Sequence, residues 1–116
     1  MKMEITERPD GLVAVTLEGR LDTPGVESIE LKLTTQTVPR GARALLGLAG
    51  VEFVGSLGIR MLITLARALA RRQGALVLHS PQPLVRNVFE TVSLQQIIPI
   101  YPDESTAAAA LTAQST

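Results

Sequence analysis

Leu45 to Leu65 reads LLGLAGVEFVGSLGIRMLITL. An apolar run, Ala44-Leu45-Leu46-Gly47-Leu48, has the character of an interior strand and closes at Gly50. A short loop, Val51-Glu52-Phe53-Val54-Gly55, follows, and Ser56-Leu57-Gly58 opens a long helix from about Leu57 to Gln73. Within it Met61, Leu62, Leu65, Ala66 and Leu69 recur at three- and four-residue steps, which makes one apolar stripe. Arg60, Arg67 and Arg71 lie off that stripe. Arg71-Arg72 suit the negative end of the helix dipole, and Gly74 is a natural stop. A strand that runs through a tight turn into a helix start exposes backbone N–H groups and the Ser56 hydroxyl, where a partner or an anion can bind.

Toward the N-terminus, residues 3–8 and 12–18 read as two strands around the turn Pro9-Asp10-Gly11. Gly19-Arg20-Leu21-Asp22 leaves the sheet, and Thr23-Pro24 starts a helix capped by Asp22 or Thr23. That helix carries Val26, Ile29, Leu31 and Leu33 as its apolar residues and ends near Thr37, before Val38-Pro39. Toward the C-terminus, Ala75 to His79 is another interior strand. Ser80-Pro81 opens a helix to about Thr91 with Leu84, Val85, Val88 and Phe89 inward. Ile97 to Tyr101 is a short strand whose Pro99 marks an edge or an end. Asp103-Glu104-Ser105 caps a last helix through Ala107–Leu111, after which the chain frays. The order ββαβαβαβα predicts an α/β domain, a mixed sheet of about five strands packed against about four helices.

Composition narrows the function. The 116 residues are 46% hydrophobic and 3% aromatic, with no cysteine. One domain over residues 1–116 can bury an aliphatic core without disulfides or metal. The rings are too few for a nucleic-acid stacking platform, and without cysteine there is no thiol nucleophile or thiolate metal site. No apolar run reaches the ~18 residues of a membrane span. MKMEITERPDG is charged and lacks the apolar core of a secretory signal, so a cytoplasmic location is expected. Net charge is zero but segregated: residues 1–30 hold three basic and seven acidic side chains, whereas residues 55–74 hold Arg60, Arg67, Arg71 and Arg72 and no acid. The basic run reads either as a solvated helix face or as the flank of a docking surface.

Two segments, at this spacing and within this element order, carry a resemblance that covers nearly the whole chain. Gly19-Arg20-Leu21-Asp22 is similar to the Gly-x-Leu-Asp that follows the second strand of the STAS family, the anti-sigma factor antagonists and their relatives. Gly50-Val51-Glu52-Phe53-Val54-Gly55-Ser56-Leu57-Gly58 resembles that family's G-V-x-F-[IVM]-D-S-[ST]-G loop. The resemblance implies docking on an anti-sigma factor that is also a kinase. That kinase phosphorylates the second hydroxyl residue of the loop, and the added charge breaks the complex. It also implies a partner-binding set of Asp22, Gly55, Ser56, Leu57 and Gly58, to which the basic run adds Arg60 as its flank. Gly47 and Gly55 stand where the family carries aspartates, and Leu57 stands at the phosphoacceptor. Leucine has no hydroxyl, so the usual off-switch is missing at its usual place.

The single residues keep two readings each. Ser56 is a helix N-cap, or a phosphoacceptor displaced by one residue. Leu57 packs, or makes contact at an exposed tip. Asp22 is a cap, or a functional carboxylate. His79, the only histidine, reads as a strand-end side chain. The sequence holds no nucleophile–base pair, no metal-ligand spacing and no phosphate-binding loop with its lysine, which argues against an enzyme and against a metal or cofactor. The expected partner is a protein, either an anti-sigma factor with a serine-kinase-like fold or the ATPase subunit of a membrane-transport assembly. Neither nucleic-acid binding nor membrane insertion is expected, and the chain is expected as a monomer or weak dimer.

Overall fold

The computed structural model describes residues 1–114. Strand β1 (Lys2–Glu7) pairs antiparallel with β2 (Val13–Leu21). Helix α1 (Thr23–Thr37) leads to β3 (Arg43–Val54), α2 (Ser56–Arg71) to β4 (Ala75–His79), and α3 (Pro83–Thr91) to the short β5 (Ile100–Tyr101). Helix α4 (Glu104–Gln114) closes the described chain. The sheet order is β1-β2-β3-β4-β5, with β2 to β5 parallel. Crossovers between parallel strands are right-handed, so three successive ones that step the same way place their helices on one face. The core agrees. Val13, Val15, Leu17, Leu46 and Leu48 from the strands pack with side chains of α1, α2 and α3. Leu45 and Val77, which point the other way, pack with Ala107, Ala108 and Leu111 of α4.

The expected mixed α/β sheet and element order are present, and several boundaries differ for physical reasons. The glycine-rich segment read as a loop is mostly strand: β3 continues to Val54, and β2 runs beside it to Leu21 rather than leaving the sheet at Gly19. Thr16 pairs with Gly47 but Glu18 with Gly50, and Gly19 pairs with Val51 but Arg20 with Phe53. At each step β3 advances one residue further than β2, so two bulges absorb the extra residues and Val51 and Val54 still reach the core. Helix α3 begins at Pro83, not at Ser80-Pro81, because Gln82 before that proline is held extended at ψ 155°. Val85 and Phe89 are its buried pair; Leu84 is 74% exposed, and Val88 is also exposed, so neither lines the core as expected. Leu31, expected among the apolar residues of α1, lies at 78% exposure for the same reason: Val26, Ile29 and Leu33 already form the stripe. Only Ile100 and Tyr101 of the expected last strand pair, since a 3-10 turn at Leu94–Gln96 precedes them. Helix α4 continues to Gln114, past the expected fraying point, and the expectation for residues 115–116 lies outside the described residues.

Candidate functional site

The C-terminal ends of β2 and β3 form one corner. The Gly55 N–H donates to the Leu21 carbonyl at 3.0 Å, so the start of α2 is tied to the end of β2. Asp22 follows at once and caps α1: its Oδ1 accepts from the Gly25 N–H at 2.9 Å. That amide bond, aided by Arg20, holds the Asp22 carboxyl below its usual value. Gly58 is buried where α2 meets β2; a Cβ there would come within 2.9 Å of the Leu21 carbonyl oxygen. Only glycine lets the first turn of α2 approach so closely.

Ser56 is not the cap. Gly55 occupies the N-cap with extended backbone at φ −98°, and no side chain bonds into the helix start. The first intrahelical bond runs from Ile59 N–H to the Gly55 carbonyl, so the amides of Ser56, Leu57 and Gly58 precede it. Ser56 and Leu57 are exposed, Leu57 at 38%, and Arg60 projects outward one turn along. The six expected site residues therefore gather around one helix start, with Arg60 at its margin.

Beside them stands a contact that sequence reading missed. The Arg20 guanidinium lies 4.3 Å over the Phe53 ring centroid, and its Nε is 3.4 Å from Asp22 Oδ2. The two pair across the β2–β3 register, on the face opposite the buried Leu21 and Val54. An exposed cation–π contact contributes only ~0.5–1 kcal/mol, but it fixes an apolar ring beside the corner. A Cβ at Gly55 would meet that ring at 3.3 Å, so the ring fills the space a larger residue would take.

A family model for the STAS domain matches residues 3–107. The chain belongs to the STAS family. This STAS domain is 32% identical over 109 residues to BtrV of Bordetella bronchiseptica, described as a candidate anti-sigma factor antagonist, with 93% of this chain and 94% of that protein covered. An anti-sigma factor antagonist from Mycobacterium paratuberculosis superposes with a TM-score of 0.85 at 21% identity, covering 96% of this chain and 93% of the other. The Bacillus anti-sigma factor antagonist SpoIIAA, in its unphosphorylated form, superposes at 0.79 with 24% identity and 97% of both chains covered; it is also known phosphorylated. The domain is thus of the anti-sigma factor antagonist type.

On the opposite face of this STAS domain, His79 ends β4 as a buried side chain. Its Nδ1 lies 2.9 Å from Ser80 Oγ, and its Nε2 lies 4.0 Å from Glu104 Oε1. A Cβ at Gly47 would fall 2.9 Å from the His79 ring, so the imidazole occupies the space that a side chain at position 47 would need. Burial lowers the pKa of His79 below its ordinary 6.5, against the pull of Glu104 and Asp103, while Arg8 lowers it further. The unfolded chain therefore takes up the proton first. Stability is fully present above pH 6.5 and falls as the pH drops from there through the folded pKa, by no more than ~1.4 kcal/mol per pH unit. Urea unfolding at pH 7.5 and pH 5 checks this. The drop should shrink in His79→Gln; the lowered pKa values of Asp10, Asp22 and Asp103 act only below 3.8.

Proposed function

We propose that this STAS domain is a non-catalytic docking module whose binding surface is the corner of Asp22, Gly55, Ser56, Leu57, Gly58 and Arg60, and whose partner is an anti-sigma factor of the kinase type. One observation carries the reading: an exposed aliphatic side chain, Leu57, stands on a helix start that no side chain caps, held by Gly58 against Leu21. A fixed apolar tip with a partly exposed ring beside it is the kind of feature that anchors protein contacts. The kinship with BtrV and SpoIIAA supports a protein partner rather than a substrate. Among the described residues no group of three His, Cys, Asp or Glu side chains is placed to hold a metal ion.

SpoIIAA exists in a phosphorylated form. In this chain the position that would receive the phosphate carries Leu57, which has no acceptor oxygen. Ser56, one residue earlier, is the first helical residue, exposed and outside the family's acceptor position. The complex is therefore constitutive with respect to loop phosphorylation, and control lies in abundance or in the partner. The test is to capture the partner from the native cell on the tagged protein. A retained protein with a kinase-type ATP site, still retained when magnesium and ATP are added, is the expected result. Release by ATP would overturn the reading.

A further inference from the structure

Three arginines on α2 stay outside the core, and only Arg60 reaches the margin of the corner. Arg60, Arg67 and Arg71 are exposed, and at 100° per residue they fall within about 40° of one another on the outward side. Residues 55–74 contain no acid, and among the described residues no ion pair involves any of the three. A row of like charges left without counter-charges repels itself along the helix. Beside the row runs a second stripe, Ile59, Ile63, Ala66 and Ala70, at the i, i+4, i+7, i+11 spacing. Ile59, Ile63 and Ala66 pack against the core with one side and remain partly open on the other; Ala70 is exposed. The inner stripe of Met61, Leu62, Leu65 and Leu69 is fully buried, so this shoulder is additional to what the fold requires.

We infer that the outer face of α2 binds an acidic amphipathic helix of the protein partner. A helix laid along α2 would set its apolar residues against the Ile59–Ile63–Ala66 shoulder and its carboxylates against Arg60, Arg67 and Arg71. Arg60 and Arg67 are one heptad, ~10.5 Å, apart along the axis, which matches glutamates seven residues apart on a packed helix. Charge selects the occupant: a neutral or basic helix would leave the arginines uncompensated. A membrane surface fits less well, because the isoleucines are half sunk in this domain's own core and cannot reach ~5–10 Å into lipid. Nucleic acid fits less well too, since the chain has no net positive charge and few rings. The surface continues from Leu57 along the same helix. The inference rests on the docking reading and names the partner's chemistry.

The test is a chemical-shift titration of isotope-labelled protein with a synthetic helical peptide of about three heptads, carrying leucine at the seam and glutamate at the flanks. The same peptide with lysine for glutamate and phosphatidylglycerol vesicles serve as the other arms. The expected result is that the glutamate peptide moves the amides of residues 59–71 and saturates. Combined Arg60→Glu, Arg67→Glu and Arg71→Glu should weaken it at least about tenfold, while Ala109→Asp, exposed on α4 across the sheet, changes it less than about twofold. Equal binding of the lysine peptide, shifts confined elsewhere, or binding to vesicles alone would overturn the inference. If the glutamate peptide binds α2 as described but Leu57→Asp still retains the captured partner, the corner reading fails and this one stands.

Discussion

Replacing Gly25 with alanine should cost the domain about 3 kcal/mol of stability. Gly25 lies in the first turn of α1, where it donates to Asp22 and is buried. A Cβ there would stand 2.0 Å from the Arg20 backbone carbonyl oxygen and 3.1 Å from Asp22 Oδ1. The nearer obstacle is backbone and cannot swing aside, and the farther one is a carboxylate held in place by the cap bond. The carbonyl belongs to β2 within the sheet, so α1 must move away from it, drawing the cap bond and Val26 and Ile29 out of their packing. Gly11 provides the contrast: its φ of +86° strains any other residue, yet an added Cβ would meet nothing within 4 Å. Gly11→Ala should therefore cost only ~1 kcal/mol. Urea midpoints of the two variants against the parent decide it. Equal losses would mean that the close approach of α1 to β2 does not govern stability.

Leu57→Asp should leave the fold intact and weaken partner binding by about a hundredfold, or ~2.7 kcal/mol. The two effects separate because position 57 is second in α2. A carboxylate in a first helical turn is favourable by ~0.3–1 kcal/mol, and that turn holds no acid now. The unfolding midpoint should hold or rise. Binding, in contrast, loses an apolar contact and must desolvate a charge. Leu31→Asp is the matched control: Leu31 is more exposed than Leu57 but sits on α1, away from the corner, and its replacement should change affinity less than about twofold. A complex that tolerates Leu57→Asp would place the contact elsewhere.

Much of this architecture is legible in the residues, because local signals and tertiary packing agree there. Asp22 before Thr23-Pro24 fixes the start of α1, and the stripe from Met61 to Leu69 fixes the inner side of α2. Ala75 to His79 is a strand with the bounds its apolar run implies. The segment from Val51 to Gly55 reads as a loop because its glycine and charge mimic turn chemistry, yet through Val54 it is strand. What makes it strand is the neighbour, β2, whose register with two bulges is a non-local fact. The same register brings Arg20 onto Phe53, residues far apart in sequence whose meeting no local pattern announces. Ser56 carries a strong capping signal, yet the Gly55 amide bond to Leu21 shifts the helix start by one residue and leaves the hydroxyl outside. At the corner, then, the residue set is legible and the cap geometry is not.

The most direct measurement is the intact mass of this protein after incubation with its captured kinase-type partner, magnesium and ATP, with the bound fraction read from the same sample. An unchanged mass and an undiminished complex are what a corner built around Leu57 predicts. A phosphate on Ser56, accompanied by dissociation, would contradict it.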